Sequence, residues 1–283
     1  MELLWLPFSI ATILFYGFGQ VFAKETRSNV SSANLLLILG ANVFVIGIVY
    51  FAVFRDPTSY PMETWLLAGV AAALSGGGYI AFYEAIKHGK VSIVGTIIGA
   101  YAPWTVFLAL VFLDESMSLA EGIGVALVVG AMLVFTYGGE NGDRKTEMLG
   151  LAFAIVAFFF FGTSAALAKD VMNDIGPTNF IGVYSLVCPA LYAAYWVTTQ
   201  RGSFEMPKSN KWILELSTLC FASGGIAYYL AIQSGNVSIV TPVTNIYPLL
   251  TIAVAKFRLR ESLTLRQYGA LAMLIVSIVL FSF

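Results

Sequence analysis

The chain has 283 residues, of which 59% are hydrophobic and only 11% charged, with a formal net charge of −1. Soluble domains carry about 25% charged residues, so this composition excludes an ordinary water-soluble fold, and the mean hydropathy of +0.83 agrees. No basic or acidic tail invites a nucleic-acid partner, and Cys188, Cys220 and one histidine supply neither a disulfide framework nor a metal or cofactor site.

A hydrocarbon core about 30 Å thick is crossed by roughly 20 apolar helical residues. Ten such runs follow one another, at 3–23, 33–54, 64–86, 91–113, 118–137, 148–168, 178–199, 212–233, 237–257 and 264–283. They are too long, and alternate too little, for barrel strands. The expected fold is an all-α membrane protein of ten transmembrane helices. The first run has no cleavage-site pattern and is followed by nine more, so it reads as a helix and not as a removable signal. The longest linkers, 138–147 and 200–211, are polar and rich in turn residues, and no soluble catalytic domain fits between the runs.

The tetrapeptide VSIV occurs at 91–94 and again at 237–240, each time opening an apolar run. Sliding the chain by 146 residues matches 81–135 to 227–281 without gaps, with 18 identities in 55 positions. The pairs include Tyr83 with Tyr229, Gly89 with Gly235, Tyr101 with Tyr247, Glu115 with Glu261 and Ser116 with Ser262. Upstream the offset becomes 145, pairing Gly17 with Gly162 and Lys24 with Lys169. The chain therefore divides into two five-helix units, 1–138 and 139–283. Because five is odd, the second unit starts on the opposite side of the membrane, so the units are inverted repeats. That design recurs in secondary transporters, where exchanging the conformations of the two units opens the opposite face.

Thirteen of the fifteen Lys and Arg residues lie in the linkers after the first, third, fifth, seventh and ninth runs, leaving Arg55 and Lys169 on the other side. The positive-inside rule puts the first set in the cytoplasm and both termini outside.

The stretches 85–135 and 231–281 share one pattern: an alanine, a small hinge with glycine, a serine-containing helix start and a mid-helix proline (Pro103 or Pro248). An LxES turn, at 113–116 or 259–262, then leads into a helix rich in small residues. This pattern resembles the second half of an EamA domain. The whole chain looks like a ten-helix EamA member of the drug/metabolite transporter superfamily. The resemblance implies a helical basket that moves small metabolites by alternating access, with amino acids, drugs, nucleotide sugars and phosphorylated sugars among the superfamily's cargoes. Many members place both termini in the cytoplasm; the charge split argues otherwise here. Small multidrug resistance transporters use a glutamate in the first helix, but here Glu2 and Glu25 only flank it, so that mechanism does not carry over.

Polar groups inside a bilayer are costly and ask for a reason. Tyr16 in the first run, Asn42 in the second, Tyr101 and Trp104 in the fourth, Tyr184 in the seventh, and Asn245 and Tyr247 in the ninth are the candidate substrate-binding residues. The concentration at related positions of the fourth and ninth runs, beside prolines that interrupt helical bonding, points to a midplane cavity. Asn42 and Asn245 are equally suited to hydrogen bonds between helices. Glu84, Lys24 and Lys169 are candidates for gating or coupling, against a local ion pair for Glu84 with Lys87 and His88 and snorkelling for the two lysines. Glu115 and Glu261 read as charges favouring the starts of the fifth and tenth helices. Gly76–Gly78 and the stripe Gly122, Ala126, Gly130 read as close-packing surfaces, the stripe against the fourth helix or a second copy. No enzyme constellation is present, so catalysis is not expected. A channel or a non-transport membrane scaffold remains the alternative to a carrier. The expected partners are a small uncharged or zwitterionic organic substrate and the lipid bilayer. The protein is expected to act as a monomer or homodimer, multi-pass in the cell membrane of a prokaryote.

Overall fold

The computed structural model describes residues 4–26, 30–55, 59–88, 101–136, 144–200, 204, 211–247, 250–251, 254 and 265–280. Among these, all regular structure is helical: α1 Trp5–Thr26, α2 Ser32–Phe54, α3 Met62–His88, α4 Tyr101–Phe112, α5 Leu119–Thr136, α6 Arg144–Gln200, α7 Lys211–Ser234, α8 Val237–Thr244 and α9 Leu265–Leu280. Five stretches are long and apolar enough to cross a bilayer, namely Trp5–Ala23, Ser32–Phe54, Met62–His88, Met148–Gln200 and Lys211–Ser234. The fourth, at 53 residues, would reach about 80 Å as one rod, far beyond a membrane. It turns at Gly176, whose φ of 76° and ψ of 159° interrupt the helix. Only glycine adopts that conformation without strain, and Pro177 then supplies the fixed φ that suits a first helical residue. α6 is thus two arms, 144–175 and 177–200.

Small residues let the helices meet. A side chain at Gly76 would strike Cys188 and Leu191 of the second arm, while Gly77 and Gly78 lie against Phe160 and Phe161 of the first. α3 is therefore wedged between both arms, as the packing reading of this triplet expects. Ser164 Oγ donates to Ala71 O at 2.8 Å, and His88 stacks on Phe153, so α3 runs antiparallel to the first arm. α1 lies on α7, with Gly19 against Cys220 and Gly224 against Tyr16. α2 lies on the second arm, with Gly40 against Pro189 and Gly182 against Phe51. Gly130 meets Met273 of α9, and Val128, Ala131, Ala270 and Leu274 form a small core there. That part of the stripe seals α5 to α9, not to α4, because the last helix closes back on the fifth.

Polarity is inverted relative to a soluble protein. Ser9, Thr12, Thr105, Ser185 and Thr218 are fully buried, whereas Val45, Val49, Val53, Leu66, Val70 and Phe112 face outward. An apolar exterior of this extent matches lipid tails.

Candidate functional site

A cavity of about 120 Å³ opens where α1, α3, α4, α6, α7 and the end of α8 converge. α1 contributes Tyr16 and Gln20; α3 contributes Ser75, Tyr79, Phe82 and Tyr83. Tyr101 enters from α4, and Phe161, Ser164, Ala165 and Tyr184 from α6. α7 adds Phe221, Gly225, Tyr228 and Tyr229, and the chain beyond α8 adds Asn245 and Tyr247. Ser75, Tyr79 and Tyr83 recur every four residues, so one face of α3 presents all three.

The rings brace one another. Tyr16 and Tyr247 meet edge to face with centroids 5.6 Å apart, Tyr184 and Tyr229 at 4.9 Å, and Tyr79 and Phe161 at 5.1 Å. Such edge-to-face contacts favour the quadrupoles of both rings. Hydroxyl bonds fix the rings further. Tyr229 Oη donates to Ser75 Oγ at 3.2 Å, Tyr228 Oη and Thr241 Oγ1 lie 2.8 Å apart, and Gln20 Nε2 donates to Tyr247 Oη at 3.4 Å. α8 ends at Thr244, and the turn at Asn245 and Ile246 breaks the ninth apolar run at the cavity wall. Asn245 is 4% exposed, and its Nδ2 makes no hydrogen bond.

Of the residues singled out from sequence, Tyr16, Tyr101, Tyr184, Asn245 and Tyr247 come together on this cavity. Trp104 and Asn42 do not line it. Trp104 Nε1 donates to Thr163 Oγ1 at 3.0 Å and its ring packs on Phe107 and Phe159, about one turn farther along α4 than Tyr101 and beyond the cavity lining. Asn42 Nδ2 donates to Glu215 Oε1 at 2.9 Å and Thr218 Oγ1 at 3.1 Å, tying α2 to α7. Pro103 lies near the start of the described part of α4, and Pro248 lies outside the described residues. Gln20, Ser75, Tyr79, Phe82, Tyr83, Phe161, Ser164, Phe221, Tyr228 and Tyr229 extend the wall beyond the candidates, and the four-residue spacing on α3 was the available signal.

The ionisable candidates lie toward the ends. Lys169 Nζ donates to Gln233 O at 3.2 Å and Gly235 O at 3.1 Å, at the C-terminus of α7. It thus binds exposed carbonyls where a snorkelling side chain would reach for headgroups. Two residues on, Val237 N and Ser238 N donate to Glu115 Oε1 and Oε2 at 2.8 and 2.9 Å. Asn236 occupies the N-cap of α8 without a side-chain cap bond, so Glu115 caps this helix from the far half of the chain. The expectation that Glu115 favours the start of the fifth helix is corrected by Glu121. Glu121 Oε2 accepts from Ser118 N at 2.6 Å and Glu121 N donates to Ser118 Oγ at 3.2 Å, a reciprocal capping box on α5. At the other end, Glu84 accepts from Tyr195 Oη and pairs with His88 at 3.2 Å and Lys87 at 3.6 Å. The side chain of Lys24, and all of Glu261, lie outside the described residues. Among the described residues, no three His, Cys, Asp or Glu side chains gather as metal ligands.

Comparison with known proteins gives a consistent result. The profile of the EamA-like transporter family matches residues 3–137 and again 148–283. An uncharacterized transporter of Archaeoglobus fulgidus is 22% identical over 278 residues, covering 96% of this chain and 95% of the relative. An uncharacterized transporter encoded in the cobO 3' region of a Sinorhizobium species is 24% identical over 137 residues, which is 47% of this chain but 97% of that protein. A protein crystal structure superposes with a TM-score of 0.81 at 14% identity, covering 98% of this chain and 95% of that one, and so shares the fold.

Proposed function

Because the chain belongs to the EamA-like transporter family, an integral membrane transporter of the drug/metabolite type, we propose that it is a secondary carrier moving a small organic metabolite by alternating access. The proposed architecture is ten transmembrane helices in two inverted five-helix repeats, 1–138 and 139–283. The double family match and the half-length Sinorhizobium relative support it. The charge split supports cytoplasmic linkers at 138–147 and 200–211 with both termini outside, in the cell membrane of a prokaryote.

The observation that carries the reading is the cavity, walled by aromatic rings and hydroxyls from both halves of the chain. A pocket of this kind suits an amino-acid-like, drug-like or other polar aromatic compound. Tyr101, Asn245, Tyr247, Tyr16 and Tyr184 are the proposed contacts. Trp104 and Asn42 would act only by holding α4 and α2 in place. The clasp of Glu115 and Lys169 on the α7–α8 corner serves as a gate at one end. The repeat relates Lys24 to Lys169, so Lys24 is the proposed counterpart of Lys169 at the second gate. Glu84 is the proposed gating or coupling acid at that second end.

Counterflow in proteoliposomes, with a panel of labelled aromatic and aliphatic metabolites, tests the reading. A carrier saturates and exchanges labelled for unlabelled substrate; linear flux without exchange marks a channel, and no flux marks a scaffold.

A further inference from the structure

We infer that the cavity selects by charge: its occupant presents a neutral heterocycle or aromatic amide with a hydrogen-bond acceptor. This rests on the carrier reading above and narrows the substrate within it.

The wall contains no acid or base among its described residues. The nearest carboxylate in sequence, Glu84, follows the lining residue Tyr83, but it is directed at Tyr195, His88 and Lys87, so its charge is already matched. An anion entering this space would leave water without a counter-charge, and a cation would gain only the faces of the tyrosine rings. A zwitterion would lose solvation at both of its ends.

The polar inventory then says what a neutral occupant must offer. Most cavity hydroxyls with an assigned bond spend it on the wall, as Tyr228 does on Thr241 and Tyr229 on Ser75. Asn245 Nδ2 is the exception: it is a buried donor directed at the Tyr101 hydroxyl but outside normal hydrogen-bond geometry. A carbonyl or ring-nitrogen acceptor on the substrate would satisfy it. The volume of about 120 Å³ admits one ring, since an engineered apolar cavity of about 150 Å³ holds benzene. An apolar ring of that size crosses a bilayer unaided. A neutral ring that carries an acceptor for Asn245 meets this wall and crosses a bilayer less readily than an apolar one.

Four probes share one pyridine ring and differ in charge: nicotinamide is neutral, nicotinate an anion, 1-methylnicotinamide a cation and trigonelline a zwitterion. Titration calorimetry on the purified full chain is expected to rank nicotinamide at least tenfold tighter than each of the others. Asn245→Leu should weaken nicotinamide binding at least tenfold, and Asn245→Asp should reverse the ranking toward 1-methylnicotinamide. A charged probe bound as tightly as nicotinamide by the unaltered protein overturns the inference, and so does binding of none of the four. Undiminished nicotinamide binding by Asn245→Leu overturns the role given to its amide. Because the four-probe ranking uses the unaltered chain, it decides even where a variant fails to fold. Counterflow in the same preparation separates the two readings. Nicotinamide bound but never exchanged ends the carrier reading alone; a charged probe exchanged and preferred ends the charge rule alone.

Discussion

At one end of the molecule Glu115 holds two backbone N–H groups in the first turn of α8; at the other, Glu84 holds a phenol, an imidazole and an ammonium. The antiparallel register of α3 and the first arm of α6 puts His88 beside Phe153. From there to Lys169 is about 24 Å along the helix. The two carboxylates thus bracket the cavity, and both bridge the halves of the chain. They differ in what must move to release them. Glu84 can lose Lys87 or His88 by a rotamer change, with no backbone displaced. Glu115 is released only if α8 itself moves, and α8 leads directly into Asn245. A carboxylate at a helix N-terminus also gains from the aligned peptide dipoles, which a pair between two side chains does not. A bond to backbone reports and resists helix motion, whereas a bond to flexible side chains tolerates it.

The difference predicts an order of effects. Glu115→Ala should be the largest, leaving two N–H groups and the positive end of α8 uncapped. It should cost about 2–3 kcal/mol, or roughly 30- to 160-fold in favour of the released corner. A cysteine placed at the fully buried Val240, with Cys188 and Cys220 replaced by alanine, should then react with a water-soluble maleimide faster by that factor. An unchanged rate breaks the claim that this carboxylate holds the helix.

Lys169→Met comes next. It removes two bonds to helix-end carbonyls that water can partly replace, so about 1–2 kcal/mol and about tenfold faster labelling at the same site are expected. An effect exceeding that of Glu115→Ala would move the weight of the clasp to the α7 side.

Glu84→Gln keeps an acceptor for Tyr195 and loses only the ionic pairs. Thermal unfolding in detergent should show a loss within about 1 kcal/mol; a loss matching Glu115→Ala would erase the contrast between the ends. Lys87→Ala should be the smallest, within about 0.5 kcal/mol, because that side chain is 59% exposed. Unfolding measured at low and high salt checks it, and a strong salt dependence would mean that the pair is far better shielded than its exposure implies.

Much of this organisation can be read in the chain. Apolar runs of bilayer length define the membrane-crossing helices, since the backbone must satisfy itself inside lipid. The repeated VSIV and LxES segments disclose the internal kinship and mark both partners of the clasp, Ser238 and Glu115, without disclosing that they touch. Deep tyrosines and Asn245 point toward a cavity because such groups are expensive in hydrocarbon. Trp104 and Asn42 carry the same signal and yet lie against other helices, for a polar atom is satisfied as well by a neighbouring helix as by a substrate. Glu215, the partner of Asn42, stood in the eighth run and drew no role from sequence for the same reason.

Composition and hydropathy alone determined that this is an all-helical membrane protein, because the cost of exposing charge or unpaired backbone to lipid is set residue by residue. Which polar groups face a shared space was decided only by the tertiary structure. The wedge of α3 between the arms of α6, the turn at Gly176 and the break after Thr244 each aim side chains that are distant in sequence at one point. The same holds for Glu115, whose role depends on a helix that begins far along the chain. Local sequence encodes the price of burying a group, but the partner that offsets it is supplied by packing.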